Sequence, residues 1–462
     1  MKLLFFVLLI CLTFVSPFSS ALQRFSDLPY DGTTNLFTIH GSNTVGAALA
    51  PNLVKEYLAQ KGAEQIETLQ TGVENEKIIR GVVRESRTIV EVVIEAHGSG
   101  TGFKGLSSQQ ADIAAASRPA KYKEVNLLQH KADMRAPDSE HIVGIDGLAI
   151  IVHPQNPIHT LSVDQIAGIF SGDYQDWAEL GGNSGQINVY ARDDKSGTWD
   201  SFKGMVLGKQ KALVDSAERF ESNDELSDLV ASDVRGIGFV GLASVRQSKL
   251  VAVSDGSAKA LLPNKLTVAT EDYALARRLY MYTAGTSANV YVNEFLNFVL
   301  ENAGQKIVAD TGFISQELKA VMPEGYAELP QDFRDITANA ERLTINFRFK
   351  EGSAKLDNKA LKDVERLVQY LKTNNTLTNT SLNEIVLIGF GDKKKTEERA
   401  RLLSKLRAMA VRRELVRNGI YPKESVGYGE YLPVASINRS EGRMKNRRVE
   451  VWLRDGAAIA AE

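Results

Sequence analysis

Cysteine is almost missing from this chain of 462 residues: its one copy, Cys11, sits inside an apolar N-terminal run. Past that run, disulfides, cysteine-ligated metals and thiol nucleophiles are excluded. Domains of this size bury enough core to stand without disulfides. Histidine is scarce too, with six copies, no H-E-x-x-H and no other metal spacing. There is no G-x-x-x-x-G-K-[ST] phosphate loop and no G-x-S-x-G nucleophile elbow. After residue 21 no stretch reaches the ~20 apolar residues that a spanning helix needs. These absences remove the common metallohydrolase, thiol-enzyme, nucleoside-triphosphatase and serine-hydrolase layouts. No catalytic residue, cofactor or metal is expected, and nothing implies a nucleic-acid partner.

What is present begins with MKLLFFVLLICLTFVSPFSSALQ, a lysine, an apolar run and small residues up to Ala21. That layout predicts a secretory signal over residues 1–21. Ile10 before Cys11 argues against lipidation. Residues 341–455 hold 25 Lys and Arg against 15 Asp and Glu, a balance of +10, whereas the whole chain stands at −2. Two modules with different partners follow from that asymmetry.

The first module alternates strand and helix patterns: FTIHGS, then VGAALAPNLVKEYLAQ, then VEVVIEAHGSG. HIVGIDGLAIIVHP reads as a strand pair or a bend, and SFKGMVLGKQKALVDSAERF has helical spacing. The rhythm predicts an α/β fold. Residues 319–341, with two prolines and mixed polarity, read as a linker. A smaller α+β unit follows, with strands LTINFRF, LNEIVLIGF and RRVEVWL and a long basic helix ending at Gly419.

Three loops share one chemistry. HGSNTV (40–45), HGSGTGFK (97–104) and ARDDKSGTWDSF (191–202) each place glycine and hydroxyl residues at a helix entrance, the last with Arg192. Helix-opening N–H groups lack internal partners and carry partial positive charge. Glycine permits close approach, and hydroxyls add donors. The set suits a tetrahedral oxyanion, and an arginine adds a charge-assisted bond. Each Ser or Thr also serves simply as an N-cap. His40 and His97 each precede a loop glycine and are expected to be buried, satisfied histidines.

Residues 36–318 resemble the substrate-binding proteins of phosphate ABC transporters. GSNTV, GSGTGFK, ADIAAASRPAK, GIDGLAIIVHPQNPI, IFSGDYQDWAELGG, ARDDKSGTWDSF and GIGFVGLASV match in that order. The resemblance implies two hinged α/β lobes, the second at about 140–245, closing on inorganic phosphate or a related oxyanion. Carried over by position, it implies contacts from Ser42, Thr44, Ser99, Thr101, Arg192, Ser196, Gly197 and Thr198. Some members carry an aspartate where Arg118 stands. An arginine cannot accept a hydrogen bond, so Arg118 either pairs with the anion, the expectation adopted, or forms a salt bridge near the hinge.

Residues 342–454 resemble the OmpA C-terminal family, through INFRFKEGSAKLD, LIGFGD, LLSKLRAMAV, VGYGEYLPVASIN and EGRMKNRRVEVWL. The resemblance implies non-covalent binding to the diaminopimelate stem of peptidoglycan through Asp392 and Arg407. An acid and a base held apart suit such a zwitterion, although Asp392 also reads as a helix cap and Arg407 as one base among many. Gly391, Lys395 and Ala400 stand where the family usually has Thr or Ser, Gly and Asn.

The combined expectation is a two-lobed periplasmic binding protein fold over residues 22–318, a linker and an OmpA-like domain over 342–455. It would be a periplasmic phosphate-capturing protein tethered to the wall near the outer membrane, not an enzyme, with an ABC permease as an implied partner. The alternative is a structural or sensing envelope protein with a vestigial anion pocket.

Overall fold

The computed structural model describes residues 22–455, apart from residues 27, 195, 324–328, 351–352, 354, 374–382, 392–393 and 439. The expected signal segment and Asp392 therefore lie outside the described residues.

The first lobe carries β1 (Gly32–Gly41), β2 (Glu64–Gln70), β3 (Glu76–Val83), β4 (Thr88–Glu95) and β5 (Ile113–Ala116), side by side in the order β2-β3-β4-β1-β5. In β4, TIVEVVIE buries every second residue, as a strand with one covered face does. Leu53, Val54 and Tyr57 of helix Ala50–Gln60 meet Phe37, Phe295 and Val299 in the core beneath it.

The second lobe adds β6 (Glu140–Val152), β7 (Thr160–Ser162), β8 (Asn188–Arg192), β9 (Glu218–Phe220), β10 (Gly236–Gly241), β11 (Lys249–Leu250) and β12 (Ala252–Ser254), and β13 (Ala276–Tyr282) returns the chain to the first lobe. β6 is one strand of 13 residues, where a pair or a bend was expected. Its near-continuous apolar run reflects cover on both faces. The early part of β6 pairs with β13, and its later part pairs with β10. β6 and β13 thus carry one sheet from lobe to lobe, in the order β5-β13-β6-β10-β8-β9.

The second lobe runs past residue 245. β11 pairs with β6, β12 pairs with β7, and Val251, Val253 and Val268 enter the same core as Ile166 and Phe170. The stretch from Ser201 to Phe220 is less helical than its spacing suggested. Helix Gly197–Phe202 runs into a widened turn, Lys203–Leu207, that stops at Gly208 (φ +64°), and β9 follows. Only glycine takes that left-handed backbone easily.

The C-terminal domain is one sheet, β14 (Ala320–Val321), β15 (Ala340–Arg348), β16 (Asn383–Gly389), β17 (Glu424–Gly427) and β18 (Arg448–Asp455), ordered β14-β15-β18-β16-β17. Helices Asn358–Thr373 and Glu397–Arg417 cover one face with Ala360, Leu367, Leu371, Ala408, Val411 and Leu415. The stretch read as a linker is partly built into this domain. β14 pairs with β15, and helix Gln331–Thr337 sets Phe333 against Phe390, Tyr428 and Trp452 on the other face. One buried aromatic in a polar stretch carries too little periodicity to be seen in sequence.

The C-terminal domain docks on the turn before β13. Asp272 is buried there. It accepts from Arg342 Nη2 at 2.6 Å and from Asn346 Nδ2 at 2.8 Å, with Arg348 and Arg448 each 3.6 Å away. Burial alone would raise the Asp272 carboxyl, but the three guanidiniums outweigh it and hold it low. Arg278 donates to Glu271 at 2.9 Å and to Asp357 at 2.8 Å.

Candidate functional site

The three hydroxyl-glycine loops do not behave alike. Ser196 caps its helix, with Oγ accepting from the N–H groups of Thr198 (3.2 Å) and Trp199 (3.4 Å). Thr101 Oγ1 donates to the Gly98 carbonyl at 2.9 Å, and Ser99 Oγ accepts from the Ser117 N–H at 3.2 Å. Thr44 makes no cap. Its Oγ1 donates across the lobes to the Gly197 carbonyl at 3.0 Å. Ser42 is 1% exposed, and its Oγ has no partner among the described residues. A buried hydroxyl without a partner is costly in a folded chain. The loops of Thr44 and Gly197 touch: a Cβ on Gly197 would lie 2.4 Å from Thr44 Cα.

Two residues at this junction were not singled out from the sequence. Arg277 on β13 donates from Nη2 to Thr44 Oγ1 at 2.8 Å and from Nε to Asp146 on β6 at 3.2 Å. Asp146 also accepts from Ser201 Oγ at 2.8 Å, and Ser201 Oγ lies 2.9 Å from the Gly197 carbonyl. These contacts link both crossover strands to both loops. Register sets Arg277 opposite Asp146. Burial pulls the Arg277 pKa below its usual value, against the pull of Asp146. A signal was available: Asp146 is a carboxylate inside the apolar run of β6, and a buried carboxylate needs a partner.

Two other arginines were expected at the anion. Arg118 Nη1 and Nη2 instead grip Glu124 at 2.8 and 2.7 Å, the salt-bridge alternative. Burial would lift the Glu124 carboxyl, yet the hydrogen bonds from Arg118 and the Lys121 N–H hold it low. Arg192 is buried, with Nε 3.1 Å from the Phe220 carbonyl and Nη2 on the Glu221 carbonyl. His40 is buried as expected but not satisfied: its Nε2 is 3.1 Å from Glu95 yet makes no hydrogen bond among the described residues. His97 is exposed rather than buried, with Nε2 3.0 Å from Glu76.

A cleft of about 1230 Å³ borders Arg277; Ser99, Thr101 and Arg118 of the expected anion residues line it, whereas Ser42, Thr44, Arg192, Ser196, Gly197 and Thr198 do not. Ser99 and Arg118 of the first lobe, Asp200 of the second, Arg277 of the crossover, and Arg348 and Lys445 of the C-terminal domain line it. Burial raises the Asp200 carboxyl, against Arg277 and Lys203. Lys445 donates to the Ala274 carbonyl at 3.3 Å, so the C-terminal domain forms part of the rim.

In the C-terminal domain, Arg407 lies on helix Glu397–Arg417 and directs Nη1 toward the Phe390 carbonyl at 3.4 Å. A Cβ on Gly391 would stand 2.5 Å from Arg407 Nη1. That glycine, which departs from the pattern, leaves the guanidinium its place. Arg401 stacks over Tyr428 and Tyr431 nearby, at 6.0 and 5.7 Å.

Comparison with known proteins agrees with the two parts of the fold. Residues 59–303 match the PBP superfamily domain, and residues 348–447 match the OmpA family. The chain belongs to the PBP superfamily and carries an OmpA-family domain at its C-terminal side. Phosphate-binding protein PstS of Staphylococcus saprophyticus is 31% identical over 248 residues, covering 52% of this chain and 74% of that protein. Protein SphX of Synechococcus elongatus is 29% identical over 302 residues, covering 62% of this chain and 87% of its own length. The crystal structure of a possible phosphate binding protein from Planctomyces limnophilus superposes with a TM-score of 0.50 at 24% identity, over 62% of this chain and 94% of that one. This last likeness concerns the fold.

Proposed function

We propose that this chain is an exported binding protein that captures inorganic phosphate, or a closely similar oxyanion, between its two lobes. Its C-terminal domain would hold it non-covalently to peptidoglycan. Relatives named as phosphate-binding proteins support the first part, and the OmpA-family match supports the second. The observation that carries the reading is the meeting of Thr44 and Gly197 across the lobes, beside the unpartnered Ser42 Oγ. Oxyanions need several converging donors and almost no volume. Ser42, Ser99, Thr101, Arg192, Ser196, Gly197 and Thr198 supply the neighbourhood, and Thr44 sets its spacing. Arg118, spent on Glu124, is the weakest member of the set.

The mechanism is hinge closure about β6 and β13, not catalysis. Residues 1–21 act as the export signal, 22–318 as the binding unit, 319–341 as the connection and 342–455 as the wall-binding unit. An ABC permease receives the ligand in the periplasm. A thermal-shift titration of the mature, phosphate-stripped protein tests the reading, with sulfate alongside and Arg192→Ala as control. Phosphate at a hundred times Kd stabilises by about 2.7 kcal/mol if it binds only the folded state. No shift with either oxyanion would favour a structural or sensing role with a vestigial pocket.

A further inference from the structure

We propose that Arg277 is a direct ligand of the bound anion and that Asp146 is its positioning residue; this rests on the cleft being an oxyanion site. The argument is an accounting of donors. A hydroxyl has one proton to give, and Thr44 gives its proton to the Gly197 carbonyl while accepting from Arg277 Nη2. Thr44 therefore has nothing left to offer an anion in this arrangement. Ser196 Oγ accepts two N–H groups and Ser99 Oγ accepts one, so each keeps its proton to donate, but a hydroxyl is a neutral donor and brings no charge. Charge must come from an arginine. Arg118 is occupied in bidentate fashion by Glu124. Arg192 spends Nε and Nη2 on backbone carbonyls.

Arg277 differs from Arg118 in not having both terminal nitrogens on one carboxylate, and from Arg192 in lining the cleft. Its side chain lines the cleft, Nε is on Asp146, Nη2 is on Thr44, and Nη1 has no hydrogen bond among the described residues. A guanidinium is a rigid planar fork. Fixing Nε and Nη2 therefore fixes where Nη1 points. Asp146, itself held by Ser201 Oγ, does the fixing from the far side. Arg277 also stands on the strand that joins the lobes and reaches the first-lobe loop through Thr44. Arg277 thus supplies a charge-assisted donor where the two lobes touch.

Calorimetric titration of the full mature chain with inorganic phosphate tests this, on wild type, Arg277→Lys, Arg277→Gln and Asp146→Asn, each first checked for cooperative melting without ligand. Arg277→Gln should lose about a hundredfold in affinity and Arg277→Lys about tenfold, the retained charge rescuing part of the loss. Asp146→Asn leaves the arginine charged but unaimed and should lose about tenfold. Wild-type affinity, within twofold, in Arg277→Lys and Arg277→Gln would overturn the ligand role while the oxyanion reading stood. If Arg277→Gln fails to fold, Arg277→Lys alone decides by the same criterion. Wild-type affinity in Asp146→Asn would overturn the positioning role. Failure of the wild type to bind phosphate would sink the oxyanion reading itself, and this proposal with it.

Discussion

Thr44 and Gly197 are 153 residues apart in the chain, yet the Thr44 hydroxyl donates to the Gly197 carbonyl at 3.0 Å. They belong to different lobes, and the space between their backbones is smaller than a methyl group. This one contact sets how close the two glycine-hydroxyl loops come.

Gly197→Ala is therefore a clean test of loop spacing. Gly197 opens a helix, where alanine gains up to ~1 kcal/mol in propensity. Its added Cβ would lie 2.4 Å from Thr44 Cα, which cannot move as a side chain does. The variant should melt below the wild-type temperature without phosphate and bind phosphate at least about tenfold more weakly. Unchanged affinity would show that the loops separate freely and that their contact does not shape the pocket.

Asp272 should behave as the pin of the domain interface. Removing a buried carboxylate that compensates three guanidiniums leaves uncompensated charge, at about 3–5 kcal/mol. Asp272→Ala should split the thermal transition into two and open the connection around residues 319–341 to protease. A single transition at the wild-type temperature would mean that the domains are joined by other contacts.

The buried carboxylates of this interface give a pH signature. Asp272 and Asp357 are both depressed: burial raises each, and nearby arginines more than offset it. A depressed carboxyl stabilises the fold above its unfolded value, about 3.9, and that contribution is lost as pH falls through the folded value. Glu271, Glu450, Arg278, Arg342, Arg348, Arg448 and Lys445 face this cluster. Glu140, raised by burial, slopes the other way, since its stabilisation fades as pH rises through its folded value. The stability gap between wild type and Asp272→Asn should be constant near neutrality and close below about pH 4. A gap that persists in acid would mean that shape, not charge, holds Asp272 in place.

The fold was legible where one physical rule governed a whole element. The alternating β4 and the apolar β6 could be read directly, the latter as extended though not as one strand. The long basic helix expected to end at Gly419 was equally plain, as Glu397–Arg417. What could not be read was pairing between distant charges. Arg118 looks like an anion ligand until Glu124 is seen six residues on, gripping it. Arg277 looks like one half of an Arg-Arg pair until strand register turns it to Asp146 and its neighbour Arg278 to Asp357. The extension of the second lobe beyond residue 245 was hidden for a related reason. Two- and three-residue strands such as β11 and β12 have no periodicity of their own.

The last prediction concerns the wall. Arg407 is the expected carboxylate ligand, and Gly391 leaves room for its guanidinium. The residue that usually fills position 391 in the resembling family is Thr or Ser. Restoring it therefore ought to be harmless if Arg407 acts from another rotamer, and harmful if this placement matters. Because the clashing atom is the tip of a flexible side chain, Gly391→Thr should displace Arg407 at little cost in stability, within about 1 kcal/mol. Co-sedimentation of the full mature chain with purified peptidoglycan distinguishes the cases, with Arg407→Ala as the reference for lost binding. We expect Gly391→Thr to weaken sedimentation toward the Arg407→Ala level while its melting temperature stays close to wild type. Wild-type sedimentation of Gly391→Thr, with Arg407→Ala defective, would show that the guanidinium works from a different position. Wild-type sedimentation of both would remove Arg407 from the wall contact altogether.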